Sequence, residues 1–349
     1  INDKRNKKEF KMITFSKFKK SLAKKELLNN LYYGKIEQSC YWAAEYICAG
    51  HFSELWDIIL FFLGKHIHLG NPKLPIYIEM RFQTFKEIVR NGYIDNVIAL
   101  RNNEKIRKLF AELISVLCLS KKKNSYDTIK VEDADFDIIN ITNHLHATNI
   151  SYAQKCFRKG DPSELFIALN EFVFNISTKN TMRAAYWVEW IMEFEKKCIS
   201  KKKKCEGERR EKAPVESKMQ KDVIWIIWET LINEASNRDK LISRNMNSLL
   251  KLFCIQYTSA TKRRRRFLIY FAISLITESW DLSTSIFTDK MTVEKVVLNI
   301  NVIYKQIKKN EEKTKTGYLF NNSFTNIEAE KSMQKIEQMK QINTVIPRN

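Results

Sequence analysis

Five histidines and seven cysteines are the side chains of this 349-residue chain best able to hold a metal or attack a substrate, so their spacing comes first. His66 and His68 form one His-x-His pair, His144 and His146 form another, and His51 stands alone. Residues two apart do not share a helix face, and neither pair has a third ligand at a recognised spacing. Ordinary polar or capping roles are expected. The cysteines lie at 40, 48, 118, 156, 198, 205 and 254, an odd and dispersed set unlike a secreted disulfide framework. Cys198 and Cys205 are too far apart in sequence for a usual structural zinc half-site. Free thiols in an intracellular, reducing compartment are the expectation. The acidic run Glu132-Asp133-Ala134-Asp135-Phe136-Asp137 lacks the glycine and terminal glutamate of a calcium loop. Nothing matches a Walker loop, a dinucleotide fingerprint or a serine nucleophile elbow. No catalytic residue, metal or cofactor is therefore expected, and an enzyme would have to assemble its site from distant residues.

Charge carries more. Lys plus Arg is 60 and Asp plus Glu is 40, a formal net charge of +20. Part of it is concentrated in two tracts. Lys201-Lys202-Lys203-Lys204 with Arg209-Arg210 lies in a stretch, 196–212, holding nine Lys/Arg and three Glu. Lys262-Arg263-Arg264-Arg265-Arg266 directly precedes an apolar segment, at a helix start where the helix dipole disfavours cations. An external polyanion would relieve that conflict, through contacts insensitive to base sequence and weakened by salt. An acidic protein surface and a solvated turn are the competing readings of the same run.

The elements that must position these residues read as helices. Eight Gly and five Pro are few; glycine is about 2 % against a usual level near 7 %, which suits long helices better than glycine-rich ligand loops. The hydrophobic fraction of 44 % and aromatic fraction of 12 % exclude a wholly disordered chain. Apolar residues at helical spacing mark 13–31, then Ile36 to Tyr46, Phe52 to Leu63, 76–90 and 104–119. Asp161-Pro162-Ser163-Glu164 reads as a helix start, with Asp161 as cap. Trp42, Trp56, Trp187, Trp190, Trp225 and Trp228 recur among Leu, Ile and Phe, which favours helix packing over base stacking. No apolar run approaches the roughly 18–20 residues of a membrane-spanning helix. The opening, Ile1 to Arg5 with the first methionine at Met12, suggests Met12 as a natural start or a removed earlier one. No targeting segment is assigned.

The expected fold is all-α and multi-helical, in two lobes. Residues 1–12 form an N-terminal extension, 13–120 a first lobe and 121–137 a polar connector. A second lobe spans 138–280 and contains an exposed basic linker at 196–220. A polar helix and partly ordered tail take up 281–349. The words CYWAAEY (40–46) and AAYWVEW (184–190) echo each other. So do YYGKIEQSCYWAAEYI and FRKGDPSELFIALNEFV, each placing a glycine and a polar cap before an aromatic-aliphatic helix. Duplication would make the lobes related.

The Lys/Asn/Ile/Phe bias, with the stretches 32–60 and 157–195, resembles lineage-specific helical proteins of large nucleocytoplasmic DNA viruses. This resemblance covers roughly 12–280 and implies a viral factory or virion setting without transferring any catalytic residue. AQKCFRKGDPSELFIAL (153–169) also resembles the helical collar of clamp-loader-related ATPases. The missing phosphate-binding loop restricts what it implies to a helical assembly module. The leading expectation is a non-enzymatic assembly protein whose basic tracts bind nucleic acid or an acidic partner, in genome replication, packaging or virion architecture. A divergent nucleic-acid-processing enzyme and a protein-only interaction scaffold are the alternatives.

Overall fold

The computed structural model describes residues 1–312 apart from 7 and 282. The tail expected after the polar helix lies outside the described residues from 313 onward.

Helices account for nearly all the regular structure. The first half contains α1 (Lys20–Tyr32), α2 (Ile36–Cys48), α3 (Phe52–Phe62), α4 (Leu74–Arg90) and α5 (Glu104–Leu119). Then come α6 (Ile138–Thr142), α7 (Leu165–Ser177), α8 (Thr181–Ser200), α9 (Ile224–Ser236) and α10 (Lys240–Phe253). They are followed by α11 (Thr261–Arg264), α12 (Arg266–Thr277), α13 (Lys290–Asn299) and α14 (Asn301–Lys308). Among the described residues the only β feature is an isolated bridge between Ile13 and Lys19. The fold is all-α.

Local chemistry accounts for the boundaries. Asn103 caps α5 by accepting from the Lys105 and Ile106 N–H groups, and Ile106, Leu109, Phe110, Leu113 and Leu117 bury one stripe. Every residue of α12 from Phe267 to Thr277 is buried, the pattern of a helix enclosed on all sides. The start expected at Asp161 moves: α7 begins at Leu165, after a turn in which Leu165 N–H donates to the Pro162 carbonyl. Asp161 is held instead by Arg210 and by the backbone N–H groups of Arg158 and Glu208.

The two sequence echoes imply different registers, and the structure selects one. α1 and α7, and likewise α2 and α8, begin at one constant offset along the chain, Lys20 with Leu165 and Ile36 with Thr181, which sets Tyr41-Trp42 against Tyr186-Trp187. The longer echo would have set α2 against α7. In the selected register Asn30 Nδ2 donates to the Glu26 carbonyl and Asn175 Nδ2 to the Glu171 carbonyl. Beyond each first helix the chain turns through a positive φ, 70° at Gly34 and 59° at Lys179. Lys35 N–H then donates to Asn30 O at 2.9 Å, and Asn180 N–H to Asn175 O at 2.8 Å. Both helices thus end in the same carbonyl-capping turn. The parallel extends outward: α5 packs on α1, α2 and α4, while α12 packs on α7, α8, α9 and α10.

The halves meet across α4–α10 and where α3 and the π-helical segment Leu63–Ile67 lie on α12. Gly64 permits that approach, since a Cβ there would stand 2.8 Å from the Phe267 carbonyl carbon. α13 and α14 return to the first half, on α5 and α2 respectively. A single cluster of buried apolar side chains runs from Phe10 to Ile307. The stretch expected as an extension is part of this body: Arg5 is buried, paired with Asp3 and placed 4.8 and 4.7 Å from the Phe10 and Phe15 ring centres.

Candidate polyanion-binding groove

The five cations of 262–266 have five different surroundings, because they occupy the tight corner between α11 and α12. The Lys262 side chain is 4 % exposed and lies between Glu195 of α8 and Asp222 before α9, 2.8 Å from the latter. Arg265 is equally enclosed. It donates to the carbonyls of Phe253, at 2.7 Å, and Ile255, and to Asp57 of α3, at 2.7 Å. Burial pushes its pKa down while Asp57 works the other way. Arg266 faces Glu189 at 3.2 Å, and Tyr270 Oη donates to the same carboxylate at 2.6 Å. Burial raises the Glu189 pKa against the pull of Arg266. Arg263 pairs with Glu193 at 3.3 Å and donates to the Met192 carbonyl. Only Arg264 projects outward, 63 % exposed and 3.9 Å from Asp57. The conflict inferred from sequence is therefore answered inside the fold, by carboxylates of α3, α8 and the loop before α9. As free contacts for an external anion, Lys262 and Arg265 are corrected: both are tied up in the core.

The other tract divides in the same way. Arg210 is 4 % exposed; it grips Asp161 with two nitrogens, reaches Glu229 at 2.9 Å and donates to the carbonyls of Glu208 and Cys156. Burial opposes its charge, but Asp161 and Glu229 outweigh that and raise its pKa. It too is corrected from surface contact to internal clasp. Arg209 donates to Gln220 Oε1 at 2.7 Å. Lys201, Lys202, Lys203 and Lys204 are exposed, and Lys204 pairs with Glu206 at 3.1 Å. The expected exposed linker is thus partly embedded, with Cys205, Ala213 and Gln220 buried.

What remains outward converges with cations from the first half. A groove of about 630 Å³ runs between α1, α3 and the α11–α12 corner. Its lining includes Lys20, Lys24, Arg263, Arg264, Arg265 and Arg266, against only two carboxylates, Glu54 and Asp57. No family model, curated protein or solved structure matches this chain. Lys20 pairs with Glu54 at 3.0 Å, leaving Lys24, 5.7 Å from the Phe61 ring centre, and Arg264 as its least constrained charges. Phe61 and Phe267 supply apolar wall beside them. Sequence reading missed Lys20 and Lys24 as site residues. Their signal was present, because lysines four apart on an amphipathic helix share one face.

Among the described residues no three His, Cys, Asp or Glu side chains gather as a metal site. His51 Nε2 lies 2.9 Å from the Ile13 carbonyl oxygen, His66 pairs with Asn124, and His144 stacks on Tyr186 with ring centres 4.4 Å apart. Trp56, Trp187, Trp225 and Trp228 are core residues, so they offer no face to a base. Among the described residues no helix is long and apolar enough to cross a membrane.

Proposed function

We propose that this chain is a non-enzymatic helical assembly protein that holds a nucleic-acid backbone along the groove between α1, α3 and the α11–α12 corner. One observation carries this reading: Lys24 and Arg264 are both exposed on the same groove, beside the apolar wall of Phe61 and Phe267, while its other cations are already paired with carboxylates. Such a site holds phosphates by charge rather than reading base edges. Lys19, just before α1, and Lys25 within it are also exposed. A viral genome-replication, packaging or virion-assembly setting belongs to the same proposal and rests on the sequence resemblance alone.

The test is binding to fluorescent DNA and RNA oligomers across a salt series, with Lys24→Ala/Arg264→Ala as the variant. Neutralising the whole 262–266 run would confound binding with folding, because Lys262 and Arg265 are internal. Binding that falls steeply with salt is expected, and the double variant should flatten the logarithmic salt slope by about two. Absence of binding at low salt, or a variant with an unchanged slope, would overturn the proposal.

A protein-only reading has one supporting observation. A larger groove, about 760 Å³, separates α2 from α13–α14 and is lined by Tyr41, Trp42, Val296, Ile300 and Ile303.

A further inference from the structure

The cationic groove has an apolar floor. α3 packs on both α1 and α12 and so joins its two walls. Four side chains with apolar bodies line it: Tyr46, Ile58, Phe61 and Phe267. Tyr46, Ile58 and Phe267 are buried, whereas Phe61, in the last turn of α3, is only half-buried. It alone among them offers an aromatic ring to a molecule lying in the groove. That ring is held edge-to-face against Phe267, with centres 5.5 Å apart and planes at 83°, and against His66 at 5.9 Å. Lys24 Nζ stands 5.7 Å from its centre. Asp57, four residues earlier and on the same face of α3, lies 3.9 Å from Arg264. A braced aromatic ring therefore shares the groove with its two solvent-facing charges, Lys24 of α1 and Arg264 of the corner.

We propose that the groove takes single-stranded rather than duplex nucleic acid, with Phe61 as the platform on which one base stacks while Lys24 and Arg264 hold the neighbouring phosphates. This rests on the reading of the groove as a phosphate site and adds the class of strand. A single strand can turn a base face onto an aromatic ring while its backbone follows cations. The contact is indifferent to sequence, because every base has a π-face. A duplex keeps its bases stacked on one another and presents phosphates on its outside. It meets Lys24 and Arg264 but leaves Phe61 unused. At 5.7 Å, Lys24 is near the outer limit of a cation–π contact. Its exposed side chain is thus free to exchange the ring for a phosphate as the base arrives.

Two substitutions separate stacking from charge. Phe61→Leu keeps an apolar side chain against Phe267 and His66 but removes the π-face, and Phe61→Trp supplies a larger one. Neither alters a cation, so neither should change the dependence of binding on salt.

The test titrates the full chain and both variants with fluorescent oligothymidine, oligouridine, a base-free strand of equal length and a duplex. Phe61→Leu should weaken binding of the two base-bearing strands by about tenfold with an unchanged logarithmic salt slope, and Phe61→Trp should retain it. The duplex and the base-free strand should bind the parent chain more weakly and be insensitive to Phe61→Leu. Ultraviolet cross-linking of a bromouracil strand to the parent chain should place the adduct on Phe61. Thermal unfolding shows whether the variants fold; if Phe61→Leu does not, the cross-link and the strand-to-duplex ratio of the parent chain decide. Salt-dependent strand binding that a folded Phe61→Leu leaves unchanged overturns this proposal and leaves the phosphate reading standing. So does a duplex bound as tightly as the strands, or an adduct outside the groove. No binding at low salt, or an unchanged salt slope in Lys24→Ala/Arg264→Ala, overturns both.

Discussion

Lys262 shows how charge that looks external in sequence becomes internal structure. Its ammonium satisfies two buried carboxylates at once, Glu195 and Asp222, whose side chains are 8 % and 5 % exposed. Burial and then Asp222 raise the Glu195 pKa, so this carboxylate sits in an environment unfavourable to its charge, with Lys262 as the chief compensation. Removing the cation leaves two like charges side by side in the core. Lys262→Met should therefore lose about 3–5 kcal/mol of unfolding free energy, measured by denaturant titration. Adding Glu195→Gln and Asp222→Asn should recover much of that loss. Equal stability of Lys262→Met and the parent chain would refute this account of the corner. Linear sequence displays the cations as a run but separates them from their partners: Asp57, Glu189, Glu193, Glu195 and Asp222 all lie outside it. What composition made legible was that excess charge collects there. Which member stays outward depends on the corner's geometry, and only Arg264 does so.

At the scale of elements, periodicity exposed most helices because their buried stripes are continuous. The span of α5 is the one read from its apolar spacing, Glu104 to Leu119. The α7 start was misplaced because Asp161 has the chemistry of a cap yet a stronger partner in Arg210, some fifty residues along the chain. The sequence offered two echoes, and the matching helix ends at Gly34 and Lys179 agree with the register of the short one. Those equivalent positions share a left-handed backbone that glycine adopts freely and lysine does not. Lys179→Gly should accordingly stabilise the protein by up to about 1 kcal/mol, and Gly34→Ala should destabilise it by about 1 kcal/mol. Space is not the issue at Gly34, where an added Cβ would meet only the Cys118 carbonyl oxygen, at 3.5 Å. Thermal unfolding of the two variants checks the pair; shifts of the same sign would mean that the turns are not equivalent.

Across the whole molecule, the seam between the halves contains a buried group that has no hydrogen-bond partner among the described residues. His68 follows the π-helical segment with φ 45° and ψ −133°, a strained backbone for any residue but glycine. Its ring lies over Phe271 of α12, with centres 5.0 Å apart, and among the described residues neither ring nitrogen has a hydrogen-bond partner. Burial, above all, pulls its pKa from 6.5 down to about 4; Glu278 and the nearby Tyr270 backbone pull upward, and Lys123 and Lys65 downward. Between those two values the unfolded chain takes up a proton that the folded chain excludes. The His68 contribution is therefore fully favourable above about pH 6.5 and is lost as pH falls, by about 2 kcal/mol at about pH 5. His68→Asn removes the titration, so the parent should lose about that much stability relative to the variant as pH drops from neutrality to about pH 5. Because α12 packs on helices of both halves, the loss should appear as one earlier transition rather than detachment of one half. Denaturant unfolding across this pH range, followed by circular dichroism and by hydrogen exchange in α5 and α12, measures both. Parallel pH profiles would remove His68 from the linkage, and loss of protection confined to α12 would separate the halves that this seam joins.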